Sequence, residues 1–261
     1  MNIAVIITAA GRSERFGGRD KLNEDLGGRA LLMRTVELFN KRPEVGCVIV
    51  AGPPDHLDDF RFRFGDQLGF HGARIVPGGR VERWETVRNA LLEVPADCTH
   101  VAVHDAARPA TPVDVIDRVF EAAKMFDAVI PAVPVTATIK RVSKETRQAA
   151  EADPIAAAIL GDAARPRNPA WQVEETIDRQ RLVEVQTPQI FERRLLVRAY
   201  EQNDLSGATD DASLVERLGE AVYAISGDPR NIKITTPADL HLVRAVLGVR
   251  PPQDRPTHKQ F

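Results

Sequence analysis

The segment that decides the fold class is the run IAVIITAAGRSERFGGRDK at residues 3–21. Its first six residues, Ile3–Thr8, are mostly β-branched and all apolar except Thr8, which is typical of a strand buried on both faces. A turn of small residues, Ala9-Ala10-Gly11, follows at once. The next ten positions include four basic residues, which are Arg12, Arg15, Arg19 and Lys21. The segment therefore predicts a buried first strand that ends in a loop suited to an anion.

Short β-branched runs then alternate with helical patterns along the chain. The strand-like runs are Ile3–Thr8, Cys47–Ala51, Arg74–Pro77, His100–His104, Ala128–Ala132 and Ala221–Ser226. Runs with apolar residues at helical spacing lie between them, at Leu31–Asn40, Val81–Val94 and Val113–Phe126. This alternation predicts a single Rossmann-like α/β domain with a mostly parallel sheet. Ligands bind such sheets beyond the carboxyl ends of the strands, where we expect the loops Ala9–Lys21, Gly78-Gly79 and Asp105–Pro109.

Composition limits the classes of function. The 261 residues are 43% hydrophobic and 28% charged, with a net charge of -2, which argues against a general nucleic-acid binder. No apolar run approaches the length that spans a membrane. Cys47 and Cys98 have neither metal-ligand spacing nor a secretory context, so we expect buried thiols and a cytoplasmic location.

The α/β pattern is interrupted once and then ends in a tail. We expect a domain over residues 1–249, an extended β-arm over 135–186 and a flexible tail over 250–261. Within the arm, Arg147–Gln172 is rich in Ala, Pro and Arg and separates two strand-like stretches, Val135–Val142 and Leu182–Gln186. We interpret residues 147–172 as an insert at the tip of the arm, and a disordered surface loop is the alternative.

The first loop does not match two common phosphate-binding motifs. No Gly-Lys-Ser/Thr follows at Walker A spacing, and Gly11 has no glycine partner two residues later. A solvated basic loop is the alternative to phosphate binding. The position after the first strand favours phosphate binding.

Two later segments carry further candidate residues. Asp105 ends a strand and can hold Mg²⁺, although an Asp at this place can also cap the next helix. Its Asp-Ala-Ala-Arg-Pro segment recurs at 162–166, which we interpret as coincidence. Lys233 lies among apolar residues before a helix start, where an anionic partner or a snorkelling side chain would explain it.

Six segments together resemble one enzyme family, the 2-C-methyl-D-erythritol 4-phosphate cytidylyltransferases of the non-mevalonate isoprenoid pathway. The resemblance spans about residues 3–247, with a gap over the insert. The segments are Ala9–Gly11 with Arg15 and Lys21, Gly78-Gly79 with Arg83, His104–Pro109, Thr187-Pro188-Gln189, Thr209–Ser213 and Asn231–Thr236.

The resemblance implies a role for each matching residue. Arg15, Lys21 and Lys233 would stabilise the triphosphate and the pentavalent transition state, and Ala9, Ala10 and Gly11 would bind the nucleotide. Gly78 and Gly79 with Thr86 would read cytosine, with one extra residue between Gly79 and Arg83. The polyol phosphate is assigned to Asp105, Arg108, Thr138, Arg179, Thr187 and Thr209, and Mg²⁺ to Asp105. Family members are homodimers in which the arm of one subunit, here with Thr138 and Arg179, covers the partner's site.

The chemistry implied needs no catalytic base. A phosphate monoester has a second pKa of about 6, so its attacking oxygen is already largely ionised near pH 7. The reaction requires alignment and relief of charge crowding, which Mg²⁺ and Lys/Arg side chains supply. We therefore predict transfer of CMP from CTP to 2-C-methyl-D-erythritol 4-phosphate.

Three alternatives remain at this point. Ribitol 5-phosphate could replace the methylerythritol phosphate in the same chemistry. An inactive nucleotide-binding module is disfavoured because Lys21 and Lys233 are both present. An NAD-dependent dehydrogenase is disfavoured because this sequence lacks the glycine fingerprint of that class.

Overall fold

The computed structural model describes residues 1–11, 16, 20–148 and 169–250. The chain forms two compact units. The first consists of Met1–Val133 together with the chain from Val185 onward, and the second is Pro134–Glu184. The second unit nearly coincides with the arm expected over 135–186.

The first unit is built on a mostly parallel sheet. Its strands are β1 (Ile3–Thr8), β2 (Val45–Gly52), β3 (Ala73–Pro77), β4 (His100–Asp105) and β5 (Ala128–Pro134), followed after the arm by β9 (Gln189–Glu192) and β10 (Tyr223–Ser226). They lie in the order β10-β5-β9-β4-β1-β2-β3. Neighbours pair in parallel except at β9, which is antiparallel to both β4 and β5. The predicted fold class is confirmed, and β9 is a strand that the sequence pattern did not reveal.

Helices cover both faces of this sheet, as the crossover rule requires. They are α1 (Leu31–Glu37), α2 (Leu57–Phe70), α3 (Arg83–Leu91), α4 (Val113–Ala122), α5 (Arg193–Tyr200), α6 (Asp211–Arg217) and α7 (Pro237–Val246). Two short 3-10 turns, Lys21–Asn23 and Pro54–His56, precede α1 and α2.

Strand β1 shows why the sheet is buried on both faces. Ile3, Val5 and Ile7 pack into the core cluster on one side, and Ala4 and Ile6 pack into the cluster on the other. Fully burying a side chain such as Ile contributes about 1.5–3 kcal/mol. The continuous apolar run at residues 3–7 therefore fixes β1 at the centre of the fold.

Side-chain caps set where the helices nearest the sheet edge begin. Glu82 and Glu85 form a capping box at the start of α3, so the helix begins at Arg83 and not at the predicted Val81. Thr236 and Asp239 do the same for α7, with Pro237 in its first turn. Caps of this kind contribute about 1 kcal/mol each.

The second unit contains a two-stranded antiparallel ribbon. Its strands are β6 (Ile139–Gln148) and β7 (Pro169–Ile177), with Ile139 paired to Ile177. The sequence predicts Val135–Val142 and Leu182–Gln186 as the flanking strands. Instead the second ribbon strand is β7, and Val183–Val185 forms a short strand, β8, that is not part of the ribbon.

Both ends of the insert expected at 147–172 lie in the ribbon, since β6 ends at Gln148 and β7 begins at Pro169. The remainder of the insert and residues 251–261 of the tail lie outside the described residues, as does the second Asp-Ala-Ala-Arg-Pro copy.

Within the described ranges, the chain has no helix that is both long and apolar enough to cross a membrane. Cys98 is a buried free thiol and Cys47 a half-buried one.

Candidate active site

A cleft of about 620 Å³ opens at the carboxyl ends of β1, β3 and β4. This is where parallel α/β sheets bind ligands. Its described lining comes from four parts of the chain, which are Thr8–Gly11 with Lys21 and Leu22, Gly79–Arg83 with Thr86, Asp105–Ala107, and Lys233 with Thr235. The fold thus brings together three loops and the Lys233 segment that lie far apart in sequence.

Asp105, the last residue of β4, stands at the centre of the charges in this cleft. Its Oδ2 lies 2.9 Å from Lys233 Nζ and 3.4 Å from Arg108 Nε, and its Oδ1 lies 3.4 Å from Arg83 Nε. Burial alone would raise the pKa of Asp105, but Arg83, Lys233 and Arg108 outweigh it and hold that pKa far below its usual range. The carboxylate is therefore ionised throughout the physiological pH range.

Buried neighbours fix the backbone of Asp105. Its N–H donates to Thr187 Oγ1 at 3.1 Å, and Thr187 Oγ1 lies 3.0 Å from His104 Nδ1. His104 Nε2 is 3.3 Å from the Arg108 carbonyl oxygen. Burial lowers the pKa of His104 to about 4, so the ring is neutral and these partners place its proton on Nε2. His104 and Thr187 thus serve to hold Asp105 in place.

Lys21 reaches the cleft through a contact with the segment that carries Lys233. Lys21 Nζ donates to the Ile234 carbonyl oxygen at 2.9 Å, and the Ile234 N–H donates to the Ala107 carbonyl oxygen at 2.8 Å. The Lys233 segment therefore runs directly beside the loop after Asp105. Both lysines contribute to the cleft wall from opposite ends of the sequence.

Asn231 secures this arrangement. It is almost fully buried, and its Nδ2 donates to the Thr187 carbonyl oxygen at 2.8 Å. Its own carbonyl oxygen accepts from Arg108 Nη1 at 2.6 Å. Asn231 consequently connects three of the motifs that the sequence presents separately.

Gly78 and Gly79 are required by close backbone packing. A Cβ on Gly78 would come within 2.7 Å of the Ala10 Cβ, and one on Gly79 within 2.3 Å of the Glu85 Cβ. The Gly79 N–H donates to Thr86 Oγ1 at 2.9 Å. A hydroxyl that accepts one bond can still donate another, and Thr86 lines the cleft. The structure therefore joins Gly78, Gly79 and Thr86 despite the extra residue before Arg83.

Glu85 holds the loop that follows the glycine pair. Its Oε2 accepts the N–H groups of Arg80, Val81 and Glu82 at 3.0, 2.9 and 3.1 Å. These bonds, that from Val81 most strongly, lower the pKa of Glu85. One carboxylate oxygen therefore orders three consecutive residues of the cleft wall.

The other predicted site residues lie elsewhere. Arg108 and Thr187 are buried behind Asp105 and bonded to protein groups, and Thr209 is exposed before α6. Thr138 and Arg179 are exposed residues of the second unit, where Arg179 donates to the Thr136 carbonyl oxygen. Arg15 is outside the described residues. The substrate and catalytic roles assigned to these six stay predictions.

Sequence reasoning missed the positioning roles of Asn231, Glu85 and Asp211. Asp211 is fully buried and bonded to Arg83. For Asn231 and Asp211 the available signal was a polar residue inside a quoted motif, but their bonding partners lie in distant segments that local pattern cannot identify. Glu85 bonds to residues three to five positions earlier, and its position three residues after Glu82 was the available signal.

Over the described ranges, no group of three or more His, Cys, Asp or Glu side chains is placed to hold a metal ion. Asp105 is an ionised carboxylate on the cleft wall. Mg²⁺ binds proteins through one or two carboxylates and otherwise through phosphates and water, so one carboxylate is compatible with it. Both Asp105 oxygens contact Lys233, Arg108 or Arg83, and the assignment of Mg²⁺ to Asp105 stays a prediction.

Known proteins are similar to this chain along nearly its whole length. The family model for 2-C-methyl-D-erythritol 4-phosphate cytidylyltransferase matches residues 3–152 and 144–249. The protein of that name from Frankia casuarinae is 40% identical over 256 residues, covering 97% of this chain and 84% of the relative. The Rhodococcus jostii protein of the same name is 40% identical over 247 residues, covering 94% and 95%.

Solved structures of proteins with the same name are also similar to this chain. The crystal structure of 2-C-methyl-D-erythritol 4-phosphate cytidylyltransferase from Thermus thermophilus matches with a TM-score of 0.68 at 29% identity, covering 95% of this chain and 100% of that one. The Francisella tularensis enzyme matches with a TM-score of 0.71 at 26% identity, covering 94% and 100%.

Proposed function

The chain belongs to the 2-C-methyl-D-erythritol 4-phosphate cytidylyltransferase family, and from that premise we propose how its cleft performs the reaction. The protein is a nucleotidyltransferase that transfers CMP from CTP to 2-C-methyl-D-erythritol 4-phosphate in isoprenoid precursor biosynthesis. A phosphate oxygen of the polyol attacks the α-phosphorus of CTP. The bond to the β-phosphate breaks, and pyrophosphate leaves.

The observation that carries the mechanism is the ionised Asp105 surrounded by cationic side chains on the cleft wall. Two anions must meet at one phosphorus, so the main barrier is electrostatic. Lys21 and Lys233 neutralise charge that builds up on the α-phosphate and on the departing pyrophosphate, and Arg15 does the same from the first loop. Because the nucleophile is already ionised, these residues need not move a proton.

Nucleotide binding falls to two loops. Backbone groups of Ala9, Ala10 and Gly11 approach the triphosphate and ribose closely because these residues are small. Gly78, Gly79 and the Thr86 hydroxyl form the surface that reads cytosine. Supporting this, a side chain at either glycine would collide with its neighbours. A fixed backbone edge leaves the polar groups of a wrong base unpaired, which is a strong form of rejection.

Asp105 would hold Mg²⁺ together with the phosphates of CTP, and the ion would supply further neutralisation of their charge. Lys233 and Arg83 contact the same carboxylate. These contacts orient Asp105 before substrate arrives.

We assign the polyol phosphate to Asp105, Arg108, Thr187 and Thr209, of which Arg108 and Thr187 act by holding Asp105 from behind. The arm of the partner subunit would supply Thr138 and Arg179. This homodimer with shared sites is supported by the separate ribbon unit, in which Val142, Trp171 and Val173 are exposed apolar residues. The enzyme acts in the cytoplasm, as the free thiols suggest.

The test is pyrophosphate release with CTP and each polyol phosphate in turn. We expect rapid release with 2-C-methyl-D-erythritol 4-phosphate and little with ribitol 5-phosphate. Equal or faster release with ribitol 5-phosphate would reassign the substrate. Release without any polyol would point to CTP hydrolysis.

A further inference from the structure

We propose that Asp211 and Tyr200 are positioning residues that hold Arg83 against Asp105. The proposal rests on the proposed function, since it names what orients the central carboxylate of that site. It also gives a task to the Thr209–Ser213 motif that its substrate assignment leaves unexplained.

Asp211 is a fully buried carboxylate with two charged or polar partners. Its Oδ2 lies 2.8 Å from Arg83 Nη1, and its Oδ1 accepts the Tyr200 hydroxyl at 2.5 Å. The side chain of Asp211 has no exposed surface. An ionised carboxylate in such a place is costly unless it is paired and hydrogen-bonded. The fold therefore retains this carboxylate only together with Arg83.

Arg83 spans the distance between the two carboxylates. One end of its guanidinium binds Asp211, and Nε lies 3.4 Å from Asp105 Oδ1. Burial would lower the pKa of Arg83, but Asp211 and Asp105 reverse this and raise it. The cation is permanent, and its position is determined from both sides.

Tyr200 completes the pocket behind Arg83. Burial raises the pKa of Tyr200, and the charge of Asp211 raises it further. The phenol therefore keeps its proton and donates a hydrogen bond to Asp211. Because Tyr200 occupies Oδ1, the other oxygen of Asp211 is directed to Arg83. Arg83 then engages Asp105 through Oδ1 and leaves Oδ2 to Lys233 and Arg108.

Helix α6 is itself anchored beside the site. Gln189, on β9 next to β4, donates to Asp210 Oδ2 at 2.8 Å and accepts the Ala212 N–H at 3.2 Å. Asp210 caps the helix by accepting the Ser213 N–H at 3.0 Å. The two neighbouring aspartates thus have different tasks: Asp210 fixes the helix, and Asp211 fixes Arg83.

A double-mutant cycle tests the proposal. Asp211→Asn preserves side-chain shape while removing charge. Arg83→Gln removes the cation and shortens the side chain, and the double variant contains neither charge. We expect Asp211→Asn to lower kcat with CTP and 2-C-methyl-D-erythritol 4-phosphate by about tenfold, with a smaller change in the KM for CTP. In the Arg83→Gln background the same change should alter kcat by less than about twofold.

Glu216→Gln is the matched control, because it removes a negative charge from an exposed position of the same helix. It should leave kcat near that of the wild type. Tyr200→Phe removes only the hydroxyl and should lower kcat to an intermediate value. Thermal unfolding of every variant confirms that the assay is run on folded protein.

Equal losses of kcat from Asp211→Asn in both backgrounds would overturn the proposal, because Asp211 would then act independently of Arg83. Unchanged kcat in a folded Asp211→Asn protein would overturn it as well. If the wild-type protein forms no CDP-polyol, the proposed function itself fails. An active wild type with an unaffected Asp211→Asn variant refutes only this inference.

Discussion

At the scale of single residues, the two lysines of the cleft show how charge is delivered to one point from opposite ends of the chain. Lys21 lies in a 3-10 turn after the first loop and Lys233 in the segment before α7. Lys21 Nζ donates to the Ile234 carbonyl oxygen, and Lys233 Nζ pairs with Asp105. Their proposed task is to stabilise charge that is greatest in the transition state, so their effect should appear in kcat.

We expect Lys21→Ala and Lys233→Ala each to lower kcat by about 100-fold or more, by analogy with loss of one oxyanion-hole donor. Lys124→Ala is the control, because Lys124 is exposed and forms a surface pair with Glu121. Steady-state kinetics on proteins with unchanged circular dichroism measures the effect. A folded Lys21→Ala or Lys233→Ala protein with near-normal kcat would remove that residue from the mechanism.

The pH profile should report the substrate and not a protein base. The cations around Asp105 keep its pKa far below its usual range, whereas the second pKa of a phosphate monoester is about 6. We therefore expect kcat/KM for the polyol phosphate to fall about tenfold per pH unit below pH 6. A phosphonate analogue, whose second pKa is higher, should shift this limb to higher pH. A limb that stays in place would indicate a titrating group on the enzyme.

Sequence alone was sufficient to nominate Asp105, Lys21 and Lys233, because each follows a recognisable strand or precedes a recognisable helix. It could not show that Arg83 binds two carboxylates. That arrangement brings Asp211 from 128 positions away into contact with Arg83, and no local pattern encodes a partner at that distance.

At the scale of elements, one side chain, Glu85, connects α3 to the loop before it. The capping box that starts α3 uses Glu85, and the same carboxylate binds three loop N–H groups. Removing it should release the loop that carries the cleft wall from Gly79 to Glu82 while leaving Asp105 and Lys233 in place.

Glu85→Ala should raise the Kd for CTP about tenfold, because binding must then order the loop. It should also reduce the preference for CTP over UTP, because a loosened backbone edge no longer leaves the polar groups of the wrong base unpaired. Glu85→Gln retains an acceptor oxygen and should recover most of the difference. Calorimetric titration with each nucleotide measures both effects. If the ratio of CTP affinity to UTP affinity is the same in the wild type and in Glu85→Ala, this loop does not contribute to base choice.

Elements with a clear period were predicted well, and short ones were not. Strand β1 matched residue for residue because five consecutive apolar side chains pack on two faces of the sheet. Strand β9 has only four residues, and its polar Gln189 is buried through bonds to Asp210 and Ala212. Its antiparallel place between β4 and β5 is a tertiary choice that a four-residue pattern does not specify.

At the scale of the whole molecule, the proposed homodimer places two substrate-binding residues, Thr138 and Arg179, on the partner subunit. If Thr138 and Arg179 serve the partner's cleft, Arg179→Ala and Lys21→Ala damage opposite halves of a shared site. Mixed in equal amounts and allowed to exchange subunits, the two inactive proteins should recover about a quarter of wild-type activity, since half the dimers would carry one intact site. No recovery after exchange is verified would exclude the shared site.

Phosphorus NMR of the reaction shows directly whether this cleft joins two phosphates and releases pyrophosphate. With CTP, 2-C-methyl-D-erythritol 4-phosphate and Mg²⁺, we expect the signals of an unsymmetrical diphosphate diester to grow together with those of free pyrophosphate. The two products should appear in equal amounts, and the monoester signal should disappear. Formation of CMP and pyrophosphate with the polyol phosphate unchanged, or of CDP with a doubly phosphorylated polyol, would contradict the account.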